Sequence, residues 1–171
     1  MKPSMTPSGI LMRLKLCVAS LLTTLFIGCS VTPKVSVVAH QQGADLNFSI
    51  QTEGIRGLIE AWFWEENTKQ VLWRVNLNYY QGSQLKYGEL PIKFKQPNGA
   101  INSAEQIVPA NGEKPDQLPP GKSFYLAITG QYDTLMAASG KTFYFSFSTD
   151  SEGRMSAIVP AATPKPEDFP K

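Results

Sequence analysis

Beyond residue 34 the chain is built of short runs in which apolar and polar side chains alternate, parted by turn signals, and no stretch carries the apolar spacing of a helix. Period two sends successive side chains to opposite faces of an extended strand, so each run can bury one face and wet the other. Leu46, Phe48 and Ile50 set against Asn47, Ser49 and Gln51 form the cleanest such run. Two further runs, 123–130 and 142–149, put Phe124, Leu126 and Ile128, then Phe143, Phe145 and Phe147, on one face each, and these six are the expected core. Shorter strands are expected at Val35–Ala39, Glu105–Val108 and Arg154–Val159. A run from Lys86 to Lys95 must be an edge or be broken at Pro91, which has no amide hydrogen for a ladder. About seven to nine short strands recurring every ten residues or so predict an all-β chain folded as an antiparallel β-sandwich.

All three tryptophans fall in one of these hairpins, Ala61–Val75, around the polar turn Glu65-Glu66-Asn67-Thr68-Lys69. The loop length sets the register, and a slip of one residue moves every side chain to the other face. A two- or four-residue loop pairs Trp62 with Trp73 and Trp64 with Val71 and buries them. A three-residue loop pairs Phe63 with Trp73 and turns Trp62 and Trp64 outward as an aromatic patch. The unbroken apolar stripe Val71, Trp73, Val75 and Leu77 favours a core position for Trp62. Trp64, nearer the turn, stays open between core and surface.

With 42% hydrophobic and 18% charged residues, the 171-residue chain has the composition of one globular domain. Its formal charge of +2 depends on Lys2, Arg13 and Lys15; from Cys29 onward the net is −1. So even a balance leaves no electrostatic footprint for nucleic acid.

After Arg13 and Lys15 comes an apolar run from Leu16 to Ile27 that has the length of a signal-peptide core and ends in Leu25-Phe26-Ile27-Gly28-Cys29. This resembles the lipobox of bacterial lipoproteins. The resemblance implies that residues 1–28, read from Met1 or from Met12, are a cleaved lipoprotein signal peptide. It implies that Cys29 becomes a diacylglyceryl- and palmitate-bearing amino terminus and that 29–34 is a tether. Ser30 after the cysteine implies the outer membrane, with the domain in the periplasm. Cys17 would leave with the leader, so no disulfide is expected and packing alone must hold the domain. Residues 35–159 are then the sandwich, and 160–171, with Pro160, Pro164, Pro166 and Pro170, a flexible extended tail.

A second likeness lies in Leu118-Pro119-Pro120-Gly121-Lys122-Ser123-Phe124, which resembles the turn entering strand F of fibronectin type III and other immunoglobulin-like domains. It implies an immunoglobulin-like sandwich, with the Trp-bearing strand as strand C. Phe124 stands where a tyrosine is usual and brings no hydroxyl.

Motifs with a defined chemistry are missing. His40 is the single histidine, too few for a zinc cluster or a histidine-based triad, and it reads as a solvated loop imidazole. Glu65 and Glu66 are sequence neighbours, which on a strand point apart, so they read as solubilising charges at a hairpin tip rather than an acid–base pair. Asp150-Ser151-Glu152-Gly153 has the pattern of a type I turn and lacks the ligands of a calcium loop. No enzyme activity, cofactor or metal is therefore expected. Two functions remain. The first is a membrane-anchored envelope lipoprotein acting as a non-catalytic interaction or structural module, with the connection Gln131–Gly140, bearing Tyr132, Leu135 and Met136, as the natural binding loop. The second is carbohydrate binding, a cell-wall glycan stacking on exposed Trp62, Trp64 and Tyr79 or Tyr80. Trp64, Tyr132 and Met136 are the candidate binding residues, and Cys29 the lipidation site.

Overall fold

The computed structural model describes residues 31–43, 45–91, 94–95, 101–102, 104–109, 117–134 and 137–170. Cys29, the leader, Leu135 and Met136 lie outside them. The chain divides into Met1–Val31 and Thr32–Lys171, and everything below belongs to the second unit.

Eleven strands are described, in the order β1 (Lys34–Gln42), β2 (Asp45–Glu53), β3 (Gly57–Glu65), β4 (Val71–Tyr80), β5 (Gln84–Lys86), β6 (Phe94–Lys95), β7 (Ile101–Asn102), β8 (Glu105–Val108), β9 (Ser123–Asp133), β10 (Ala138–Ser148) and β11 (Val159–Ala161), followed by a 3₁₀ turn at Pro166–Asp168. They form a three-stranded sheet β1-β2-β5, a six-stranded sheet β11-β10-β9-β3-β4-β8 and a two-stranded ribbon β6-β7. All pairings are antiparallel. The fold is thus an antiparallel β-sandwich, consistent with an immunoglobulin-like arrangement. The strand count exceeds the expected seven to nine because β5, β6, β7 and β11 are two- or three-residue pieces. Pro91 lies outside any strand, between β5 and β6, so the run around it is broken as its missing donor requires.

The two large sheets bury their facing alternates against each other. Leu46, Phe48 and Ile50 of β2 meet Ala61, Phe63, Trp73, Val75 and Leu77 of the hairpin and Phe124, Leu126 and Ile128 of β9 in one apolar cluster. Phe63 is the hub, its ring 5.4 Å from Phe124, 5.1 Å from Phe147 and 6.3 Å from Phe48. Of the six expected core residues five are buried; Phe143 is half-exposed, with the Lys141 ammonium 5.1 Å from its ring centre. The indole N–H of buried Trp73 donates to Gln106 Oε1 on β8 at 3.3 Å, which meets the need of a buried donor.

The turn entering β9 is latched from the next strand. The hydroxyl of the buried Thr149 donates to the Pro119 carbonyl at 2.7 Å and its amide to the Lys122 carbonyl at 2.9 Å. Gly121 holds φ +67°, where a Cβ is disfavoured, and donates its amide to the Asp150 carbonyl. The Asp150–Gly153 turn forms as its sequence indicates, with the Gly153 amide on the Asp150 carbonyl and the Glu152 amide on Asp150 Oδ1. The expected strand Arg154–Val159 is reduced to a single bridge at Met155, and regular pairing resumes only at Val159.

The tryptophan hairpin combines both registers. Its loop spans the four residues 66–69, closed by the Glu65 amide on the Gln70 carbonyl, and Trp64 pairs with Val71. One residue further, Phe63 pairs with Trp73 and Trp62 with Arg74, because Leu72 is an extra residue in β4. Such a bulge lets Leu72 and Trp73, neighbours in sequence, both be buried. The expectation of Trp62 in the core is therefore corrected: beyond the bulge the aromatic that faces inward is Phe63, and Trp62 stands on the outer face, half-buried.

Candidate functional site

The outer face of the six-stranded sheet gathers the aromatics that the core does not use. Strand register sets them in two adjacent rows. Trp62 of β3 lies opposite Ala127 of β9, which lies opposite Tyr144 of β10; Trp64 lies opposite Tyr125, which lies opposite Ser146. In the first row a small Ala127 between two large rings leaves a hollow in the sheet surface. The hollow is filled. Phe169 sits with its ring 6.2 Å from Trp62, 6.1 Å from Trp64 and 5.9 Å from Tyr144, the last edge-on, and Ala127 has no exposed surface. Trp62 and Trp64 are themselves 4.9 Å apart, and Trp64 stacks on Tyr125 at 5.4 Å. Ring pairs at these separations add to burial about 0.5–1.5 kcal/mol each.

Phe169 arrives on a proline-rich strap. After pairing with β10 through β11, the chain crosses the sheet, with Pro164 buried on the way. Lys165 (φ −69°, ψ 157°) and Phe169 (φ −81°, ψ 145°), which flank the 3₁₀ turn, have polyproline-like backbone. The stretch from 160, expected as a flexible extended tail, finishes β11, turns once as a 3₁₀ helix at Pro166–Asp168 and lies on the aromatic face. Two polar contacts hold it there. The Trp64 indole N–H donates to the Asp168 carbonyl at 3.2 Å, and Lys69 Nζ donates to Asp168 Oδ1 at 2.9 Å. Lys69 reaches that position from the left-handed conformation, φ +59°, that ends the hairpin loop. The ammonium holds the Asp168 carboxyl below the usual carboxylate range.

Ion pairs border the patch. Arg74 donates to Glu60 Oε1 at 2.7 Å and its guanidinium lies 5.2 Å from the Trp62 ring centre. Glu65 is buried, which corrects its assignment as a solvated tip charge: Thr68 donates to its Oε2 at 3.0 Å and Lys122 Nζ lies 3.1 Å from its Oε1. Oε1 meets no donor at hydrogen-bonding angles, so its contact with Lys122 is an ion pair rather than an aligned bond. The Tyr125 hydroxyl donates to Glu66 at 3.3 Å, and burial, then the Glu66 carboxylate, push that phenol above its ordinary value.

The sequence candidates fare unequally. Trp64 is on the face but has no exposed surface. Tyr132 lies inside β9 opposite Ser139, since the two strands run on to Asp133 and from Ala138; Leu135 and Met136, between them, are outside the described residues. Tyr79 and Tyr80 end β4 at the far end of the hairpin, Tyr80 paired with Leu58, and the Tyr80 hydroxyl donates to the Gln84 carbonyl. They do not join the tryptophans. Tyr125, Tyr144 and Phe169 do. Their signal was present in part: Tyr125 and Tyr144 are the outward alternates of the two strongest strands. His40 is exposed on β1, in the other sheet. Among the described residues no three His, Cys, Asp or Glu side chains gather as a metal site. A cleft of about 670 Å³ opens between Leu46, Tyr87, Leu118 and the Asp150–Gly153 turn, and its Lys86 is paired with Asp45 and Glu89.

No family model, curated protein or solved structure matches this chain.

Proposed function

We propose that the chain is a lipid-anchored module of the bacterial envelope that works without catalysis, by binding another protein through the outer face of its six-stranded sheet. The observation that carries this is the aromatic socket itself. Sheet faces turned to water ordinarily carry polar alternates, whereas this one sets Trp62, Trp64 and Tyr144 around Ala127 and fills the hollow with a peptide side chain, Phe169. A face that accepts peptide in cis has the chemistry to accept it in trans. What the two indoles pack against is a peptide side chain, Phe169, which favours a peptide ligand over the glycan alternative.

The anchor is supported by the Leu25–Cys29 motif behind its apolar run, with Cys29 as the lipidated residue and Ser30 favouring the outer membrane and a periplasmic domain. Several acyl chains on one terminus would hold the protein, where a single chain binds only marginally. An immunoglobulin-like family assignment is supported by the sheet orders, in which β1, β2 and β5 correspond to strands A, B and E and β3, β9 and β10 to C, F and G.

Crosslinking in intact cells followed by mass spectrometry tests the binding role. A discrete crosslinked partner is expected; recovery of the uncrosslinked monomer alone would overturn it. Labelled palmitate should enter the protein and be lost in Cys29→Ala. Labelling that persists in that variant disproves the anchor.

A further inference from the structure

We propose that the socket floored by Ala127 and walled by Trp62, Trp64 and Tyr144 is a binding site for a proline-containing segment of a partner protein with an acidic residue before an aromatic one. The chain's own strap is its resting occupant. This rests on the binding role proposed above and names its ligand.

Three features of the strap describe the ligand. Its backbone is polyproline-like at Lys165 and Phe169, on either side of a 3₁₀ turn that the Asp168 amide closes on the Lys165 carbonyl, and its prolines stiffen it in advance, so less ordering entropy remains to be lost on docking. Aromatic grooves recognise such segments by packing on prolines and donating to their free carbonyls. Here Pro164 is buried and the Trp64 indole N–H donates to the Asp168 carbonyl. Charge adds direction, because Lys69 meets the Asp168 carboxylate beside the ring that enters the socket.

The strap is also built to leave. Among the described residues, its 162–170 portion makes no backbone hydrogen bond to the sheet; the one backbone bond there, from the Asp168 amide to the Lys165 carbonyl, is internal to its own turn. The Lys69–Asp168 pair is 26% and 34% exposed and Phe169 is half-buried. An incoming segment of the same kind would replace each of these contacts like for like, and the sandwich core would not be disturbed.

The experiment uses the full-length chain and a fluorescein-labelled peptide of residues 162–170, Ala-Thr-Pro-Lys-Pro-Glu-Asp-Phe-Pro. In the double variant Asp168→Asn, Phe169→Ala the strap is loosened and the socket vacated. That variant should bind the peptide saturably and at least about tenfold more tightly than the unaltered chain, whose strap occupies the site most of the time. Adding Ala127→Leu fills the hollow and should abolish binding. Trp62→Ala takes its place if that variant loses its far-UV circular dichroism. Three results overturn the proposal: no saturable binding to the loosened variant, equal binding to the unaltered chain, or binding undiminished by filling the socket. A dimer formed by exchange of straps would make a second copy the occupant, and overturns it as well. A crosslinked partner in cells without peptide binding sinks the socket alone, while peptide binding without any crosslinked partner sinks the wider role.

Discussion

Trp64 has no exposed surface although it belongs to the outer face of its sheet, because Tyr125, Trp62 and Phe169 close around it. Trp62, one row away, stays half-open. The two should therefore differ on truncation. Trp64→Ala should cost about 3 kcal/mol, the low end for a large buried ring because the strap can settle into the gap. Trp62→Ala should cost about 1 kcal/mol, as part of its ring already meets water. Urea unfolding followed by far-UV circular dichroism measures both, and equal losses would contradict burial by the strap. Asp168 supplies a pH dependence. Its folded value lies below the ordinary one, so its contribution to docking is present above about pH 3.9 and is lost as pH falls through the lowered folded value. Tryptophan emission should stay constant from neutral pH to the ordinary aspartate range and shift red below it. In Asp168→Asn that step should be missing.

Irregularity within β3 and β4 decides what the hairpin presents. The Leu72 bulge moves the register by one, and a second irregularity lies between Leu58 and Glu60, where β4 carries Asn78 and Tyr79 at φ +49° and +72°. Left-handed conformations cost non-glycine residues about 1–2 kcal/mol each and persist where packing determines them. Gly57 is part of that packing: a Cβ there would lie 2.9 Å from Tyr79 Cδ1 and 3.1 Å from the Tyr79 carbonyl oxygen. The backbone atom cannot rotate away, so Gly57→Ala should destabilise by about 1–3 kcal/mol as overpacking does. The control is Gly121→Ala, where space is free and only φ +67° opposes the change, at about 1 kcal/mol. Thermal or urea unfolding should rank them in that order. Alternation alone made β2, β9 and β10 legible, because a strand half in water writes its face into every second residue. A bulge carries no comparable signature. Leu72 is an apolar residue among apolar residues, and its extra place in the strand lets Phe63 and Trp73 pair on the core face of their sheet.

At the scale of the whole molecule, the period of apolar residues determined the all-β class, the buried faces of β2 and β9 and the turn before β9, since each is a local consequence of side-chain spacing or of a glycine or proline. Glu105–Val108 also became a strand where its pattern indicated. Contacts distant in sequence were decided otherwise. Glu65 looks like a surface charge until Lys122, far along the chain, is folded beside it, and residues 160–170 look like a free tail until a hollow at Ala127 receives Phe169. The hairpin's two possible registers were both readable. Choosing between them needed the opposing sheet, and the answer was one register on each side of Leu72. The sequence by itself thus determined which residues want to be buried, because that preference belongs to each side chain. Only the tertiary structure decided what buries Trp62 and Trp64, because their cover comes from a strap about a hundred residues away, and spacing within a strand carries no information about a partner that distant.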